Sequence, residues 1–138
     1  MLVNVARRLD VVGDSTTLFE VAGGLPFFES LVDRFYDRVA GDPVLLRLYP
    51  APQDLSGARR RLALFLTQYW GGPTTYSDER GHPRLRMRHA PFEIGPRERD
   101  HWLMHMRASL DDMAPAPDMR AALDEYLEMA AEAMRNRD

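Results

Sequence analysis

Apolar residues recur along this chain at intervals of three and four, and no segment alternates convincingly at a period of two. The spacing predicts an all-α protein. Phe28, Leu31, Val32, Phe35, Tyr36 and Val39 mark one face of a helix that starts near Leu25-Pro26, where proline is tolerated in the first turn. Gly41-Asp42-Pro43 breaks it, and Val44 to Tyr49 reads as a short helical turn closed by Pro50 and Pro52. Ala58, Leu62, Phe65, Leu66 and Tyr69 form the next stripe, capped by Asp54 or Ser56 and stopped by Gly71-Gly72-Pro73. Arg59, Arg60 and Arg61 fall mainly on its wet side. Pro96 opens a helix whose inner face is Trp102, Leu103, Met106 and Leu110. Pro115 and Pro117 separate it from a last helix carrying Met119, Ala122, Leu123, Tyr126, Leu127, Ala130 and Met134.

The remaining segments are less periodic. Ser15 or Thr16 is expected to cap a short helix to Ala22, ended by Gly23-Gly24. Residues 1–14 are expected to form a mobile arm, within an extension of residues 1–18 that precedes one domain at 19–138. After Pro73 a loop is expected as far as Pro83. Pro83 and Pro91 then bracket a short helix, Pro83 to Ala90.

A length of 138 residues suits one domain with one core. The net charge of −3 and the pI near 5.8 give no electrostatic footprint for nucleic acid. Cysteine is absent, which removes disulfides and thiolate chemistry. No apolar run reaches the roughly 18 residues of a membrane span. The start, MLVNVARRLDVVGD, lacks the apolar core of a signal peptide, so a cytoplasmic location is expected.

The stretch with most chemistry is Tyr76 to Phe92. It holds His82 and His89 among Arg80, Arg84, Arg86 and Arg88. Leu85 and His89, four apart, share a helical face, while Arg84, Arg86 and Arg88 fall on other sides. A single imidazole on such a face is a structural residue or a ligand. One histidine is too few for a bare zinc ion, which takes several protein ligands. It is enough for haem iron, where the porphyrin supplies the other in-plane bonds. Nearby arginines would then suit haem propionates. His101 and His105 also share a helical face and could chelate a metal, but no neighbouring acidic or cysteine pattern completes a site. They read as surface or interhelical residues.

Tyr69-Trp70-Gly71-Gly72-Pro73, then Tyr76, then Gly81 to Phe92 (GHPRLRMRHAPF) resembles the group II truncated haemoglobins, most of all the actinobacterial type. The resemblance runs from about Phe19 to near the C-terminus. It implies the truncated globin fold, a two-over-two helical sandwich around haem b. It makes His89 the proximal iron ligand, with Leu85, Met87 and Phe92 lining that side, and Tyr76, His82 and Arg86 the candidates for the propionates. Arg84 and Arg88 read as surface or ion-pair residues, and Arg80 is a weaker candidate still. On the distal side Ala58 stands where familiar globins carry histidine, with Leu62 one turn on. Tyr36, Tyr49 and Trp102 match the family's polar aromatic positions and are the available donors. Phe35, Leu45, Phe65 and Met106 are expected on the porphyrin or the pocket edge. Each of these apolar and aromatic residues has ordinary core packing as its plain alternative.

The reading that follows is a haem protein that binds dioxygen, CO and NO at a His-ligated iron. A hydrogen bond to bound dioxygen is partly charge-assisted, worth ~1.5–3 kcal/mol. That would slow oxygen release by roughly one to two orders of magnitude. The alternative is a haem enzyme performing NO dioxygenation or peroxide-dependent oxidation. The dioxygenase needs an external reductase, because the chain has no flavin- or nicotinamide-binding pattern. The peroxidase lacks a visible distal histidine. A third reading is a helical sensor or interaction module without haem. Assembly into a homo-oligomer is compatible with all three.

Overall fold

Prolines and glycines set where the helices begin and end. The computed structural model describes residues 17–138; the expected arm and the expected caps Ser15 and Thr16 lie outside the described residues. The described residues form eight α-helices and no β-strand. In chain order they are α1 (Leu18–Ala22), α2 (Leu25–Val39), α3 (Pro43–Leu46), α4 (Ser56–Tyr69), α5 (Thr75–Arg80), α6 (Leu85–His89), α7 (Pro96–Met113) and α8 (Pro117–Met134). None is long and apolar enough to cross a membrane.

Thr17 caps α1. Its hydroxyl accepts from Glu20 N at 3.2 Å, and the Glu20 carboxylate accepts from Thr17 N at 3.2 Å, a reciprocal box that satisfies free N–H groups of the first turn. The start of α4 is held from two residues before its first residue, where Asp54 Oδ1 accepts from Ser56 N at 3.1 Å. Proline occupies the first turn of α2 and α7, as the sequence predicts, and also of α3 and α8, where Pro43 and Pro117 were expected only as breaks before the helix.

Two expectations are corrected. The expected loop between Pro73 and Pro83 contains α5. Tyr76 buries against the core, and the amide of Gln68 on α4 brackets Ser77, accepting from Ser77 N at 3.0 Å and donating to its hydroxyl at 2.7 Å. Helix α6 is shorter than Pro83–Ala90, because Arg84 sits in the left-handed region at φ 45° and cannot belong to the helix it precedes.

The core lies between two helix pairs. Helix α2 packs on α4 and on α7, and α7 packs on α8. A connection of residues 114–116 makes α7 and α8 antiparallel neighbours. Phe28, Leu31, Phe35 and Val39 of α2 meet Met106 and Leu110 of α7, all fully buried. Each such side chain contributes roughly 1.5–3 kcal/mol through burial. Gly71 closes the far end: a Cβ there would lie 2.6 Å from Thr17 Cβ, so only glycine lets α1 dock on the end of α4. The docking is sealed by Phe19 N donating to Trp70 O at 3.0 Å.

Candidate functional site

A cavity of about 500 Å³ opens inside this frame. Its walls are mainly apolar: Leu45 and Leu48 from α3 and the turn after it, Leu62, Phe65 and Leu66 from α4, and Leu127, Ala130 and Ala131 from α8. Helix α6 delivers Leu85 and His89, and the chain after it delivers Phe92 and Ile94. Four arginines, Arg61, Arg80, Arg88 and Arg99, also line it.

His89 is fixed by its own helix. Its Nδ1 lies 2.6 Å from the Leu85 carbonyl. A carbonyl only accepts, so Nδ1 carries the proton and Nε2 keeps the basic lone pair. Among the described residues His89 is the only histidine in the lining. Asn136, beyond α8, clamps the chain on either side of Phe92: its amide donates to Phe92 O at 2.8 Å and its Oδ1 accepts from Ile94 N at 2.9 Å. Arg88 braces the other side, donating to Pro83 O at 2.7 Å and to Arg80 O at 3.1 Å.

Tyr36, Tyr49 and Trp102 share the cavity. The two phenol rings meet edge to face at 5.6 Å between centroids. Burial, and then the adjoining Tyr49, raise the Tyr36 hydroxyl well above the ordinary tyrosine range. Burial also raises Tyr49, and the hydrogen bond it shares with Tyr36 acts to lower it. Two hydroxyls sharing one bond leave one O–H for a third acceptor. The Trp102 ring packs edge-on against Phe35 at 5.3 Å between centroids.

Among the expected site residues, His89, Leu85, Phe92, Tyr76, Leu45, Phe65, Tyr36, Tyr49, Trp102, Ala58 and Leu62 converge on this cavity. Five do not. Met87 points outward and is 60% exposed, because it lies two residues from His89 on a helix and so on the other side. His82 and Arg86 are exposed and outside the lining, and the His82 ring is engaged locally, accepting from Arg84 N at 3.1 Å. Phe35 and Met106 are buried in the core behind the cavity wall. Arg88, expected to be a surface or ion-pair residue, binds carbonyls at the cavity edge. Arg61, expected on the wet side, is exposed yet reaches the lining and has no hydrogen-bonding partner among the described residues. Arg99 and Asn136 were not anticipated, and no local sequence signal marks either one.

His101 and His105 are interhelical, as expected, but they do meet an acidic partner. Both rings lie within hydrogen-bond distance of Asp42 Oδ2. Burial pushes the Asp42 carboxyl up, and the bonds from both imidazoles and from Val44 N outweigh it, bringing it down to about 2.

The residues present fit haem. The walls are apolar, one imidazole offers a fixed basic nitrogen, and cationic side chains stand at the edge where carboxylates would need them.

The fold and this cavity define a class, confirmed by comparison: residues 17–136 match the family model of the bacterial-like globins, and the chain belongs to that family. It is similar to the group 2 truncated hemoglobin YjbI of Bacillus subtilis, at 42% identity over 113 residues, 82% of this chain and 84% of the relative. Among solved structures, a thermostable hemoglobin from the actinobacterium Thermobifida fusca is 56% identical with a TM-score of 0.85, covering 88% of this chain and 98% of the other. The hemoglobin of Chloroflexus aurantiacus is 52% identical with a TM-score of 0.85, covering 88% and 99%. A truncated oxygen-avid haemoglobin from Bacillus subtilis is 40% identical with a TM-score of 0.82, covering 88% and 100%. The two-over-two truncated globin fold is thus established, and membership implies haem-based binding of diatomic gases.

Proposed function

We propose that this chain holds haem b through His89 and binds dioxygen, with CO and NO as further ligands, releasing dioxygen slowly. When bound, haem supplies an iron with an open position for a diatomic gas. The observation that carries the reading is the His89 Nδ1 bond to the Leu85 carbonyl, at 2.6 Å, which presents Nε2 as a ligand in a cavity without a second imidazole. Arg61 and Arg80 at the cavity edge are the cations suited to the propionates, with the Tyr76 hydroxyl as an additional donor. Tyr49 and Trp102 donate to the bound gas, and Tyr36 orients Tyr49. The description of one relative as oxygen-avid supports slow release. Reaction with peroxide has less support, because no second histidine lines the cavity to move protons; NO dioxygenation would use the same donors and an external reductase.

Haem titration into the haem-free protein tests this. A saturable Soret band at one haem per chain, shifted by CO in the ferrous form and lost or weakened in His89→Ala, is expected. An unchanged spectrum and affinity in His89→Ala would remove His89 as the ligand.

A further inference from the structure

Outside the cavity, two imidazoles converge on one carboxylate oxygen. His101 Nδ1 lies 2.8 Å and His105 Nε2 2.7 Å from the same Asp42 Oδ2. We propose that Asp42, His101 and His105 form a binding site for a zinc-class divalent cation, separate from the haem cavity. None of the three lines that cavity.

The donor set is that of an open zinc centre: two imidazoles and one carboxylate, with the fourth position left for water. All three ligand atoms lie within 4.8 Å of one another. Bonds of the usual length place tetrahedral zinc ligands about 3.3 Å apart. The present nitrogen–oxygen separations therefore need to open by only about half an ångström, within reach of side-chain rotation. Each imidazole presents the required nitrogen by moving its proton to the other ring nitrogen.

The cluster is also held in place. Asp42 caps α3, with Oδ1 accepting from Val44 N at 2.9 Å, so Oδ2 is the oxygen left to turn toward α7. The spacing of His101 and His105 along α7 puts both rings on one face. The Asp42 side chain is 9% exposed and that of His105 15%, while His101 at 33% leaves a way in for an ion. An ion there would join α7, which carries Trp102, to the start of α3, which leads to Tyr49.

Calorimetric titration of zinc chloride into the full chain, haem-loaded in its ferrous–CO form near neutral pH, tests the proposal. One zinc per chain at micromolar concentration is expected. His101→Ala and His105→Ala should each weaken it by at least about 10-fold, and His82→Ala should leave it unchanged. Zinc should raise the thermal midpoint of the natural protein; Asp42→Asn keeps the cap on Val44 but removes the charge, so that rise should vanish. No saturable binding at micromolar zinc would overturn the proposal. So would an affinity unchanged from the natural protein in both histidine variants, or an unchanged thermal rise in Asp42→Asn.

Discussion

Replacing Tyr49 by phenylalanine should release bound dioxygen far faster than the same change at Tyr36. The two phenols share one hydrogen bond, and the proposed arrangement has Tyr36 as its donor. Tyr49 then holds the O–H left for the gas. A partly charge-assisted bond to bound dioxygen is worth about 1.5–3 kcal/mol. Its loss raises the dissociation rate by about 10- to 150-fold. Tyr36→Phe leaves the Tyr49 O–H in place and removes one neutral hydrogen bond, about 0.5–1.5 kcal/mol. The expected acceleration there is about 2- to 10-fold. Because Tyr36 acts through Tyr49, the double variant should resemble Tyr49→Phe alone, a strongly non-additive cycle. Stopped-flow displacement of dioxygen by CO gives all four rates. Faster release from Tyr36→Phe than from Tyr49→Phe would refute the assigned order of donors.

Three further outcomes follow from the same geometry. Trp102→Phe keeps an aromatic ring against Phe35 but removes the indole N–H, and should speed oxygen release about 10-fold; an unchanged rate in the same assay removes Trp102 from the donors. Gly71→Ala forces a Cβ to 2.6 Å from Thr17 Cβ at a backbone φ of 104°; it should cost about 2–4 kcal/mol in chemical denaturation, and a loss below measurement error contradicts the close approach. Glu98 is buried and accepts from Gly95 N at 2.9 Å and Arg47 at 2.7 Å. Burial pushes its carboxyl up, but the backbone N–H groups of Gly95 and of Glu98 itself, together with Arg97, outweigh it, so its pKa is lowered on folding. A lowered carboxyl stabilises above its unfolded value, about 4.3, and that stability disappears as pH falls through the folded value. Glu98→Gln should therefore lower the thermal midpoint near neutral pH and converge with the natural protein in acid; a constant gap across that window contradicts it.

The long helices were legible because each carries an unbroken 3.6-residue stripe, opened by a proline in Leu25–Val39 and Pro96–Met113 and by Asp54 and Ser56 at Ser56–Tyr69. Helix α5 was not, because TYSDER offers one apolar anchor and depends on Gln68 of another helix for its hold on Ser77. The ligand face of α6 could be read from the spacing of Leu85 and His89, and the same spacing argues against Met87. Periodicity shows that a residue faces inward, not whether it meets a cavity or another side chain. Phe35 and Met106 accordingly lie fully buried outside the cavity lining. Asp42 looked like part of a helix breaker; its meeting with His101 and His105, 59 and 63 residues away, is created by tertiary packing alone. The arginines that reach the cavity edge were hidden for the same reason, since Arg61 and Arg99 lie in helices remote from the histidine motif.

In the proposed function, His89 Nε2 ligates haem iron. The most direct measurement is the ferrous and ferrous–CO absorption spectrum of His89→Gly, with and without added imidazole. A disturbed spectrum is expected, which free imidazole restores to that of the natural protein by filling the space of the missing ring. A His89→Gly spectrum already identical to the natural one, with no response to imidazole, would contradict it.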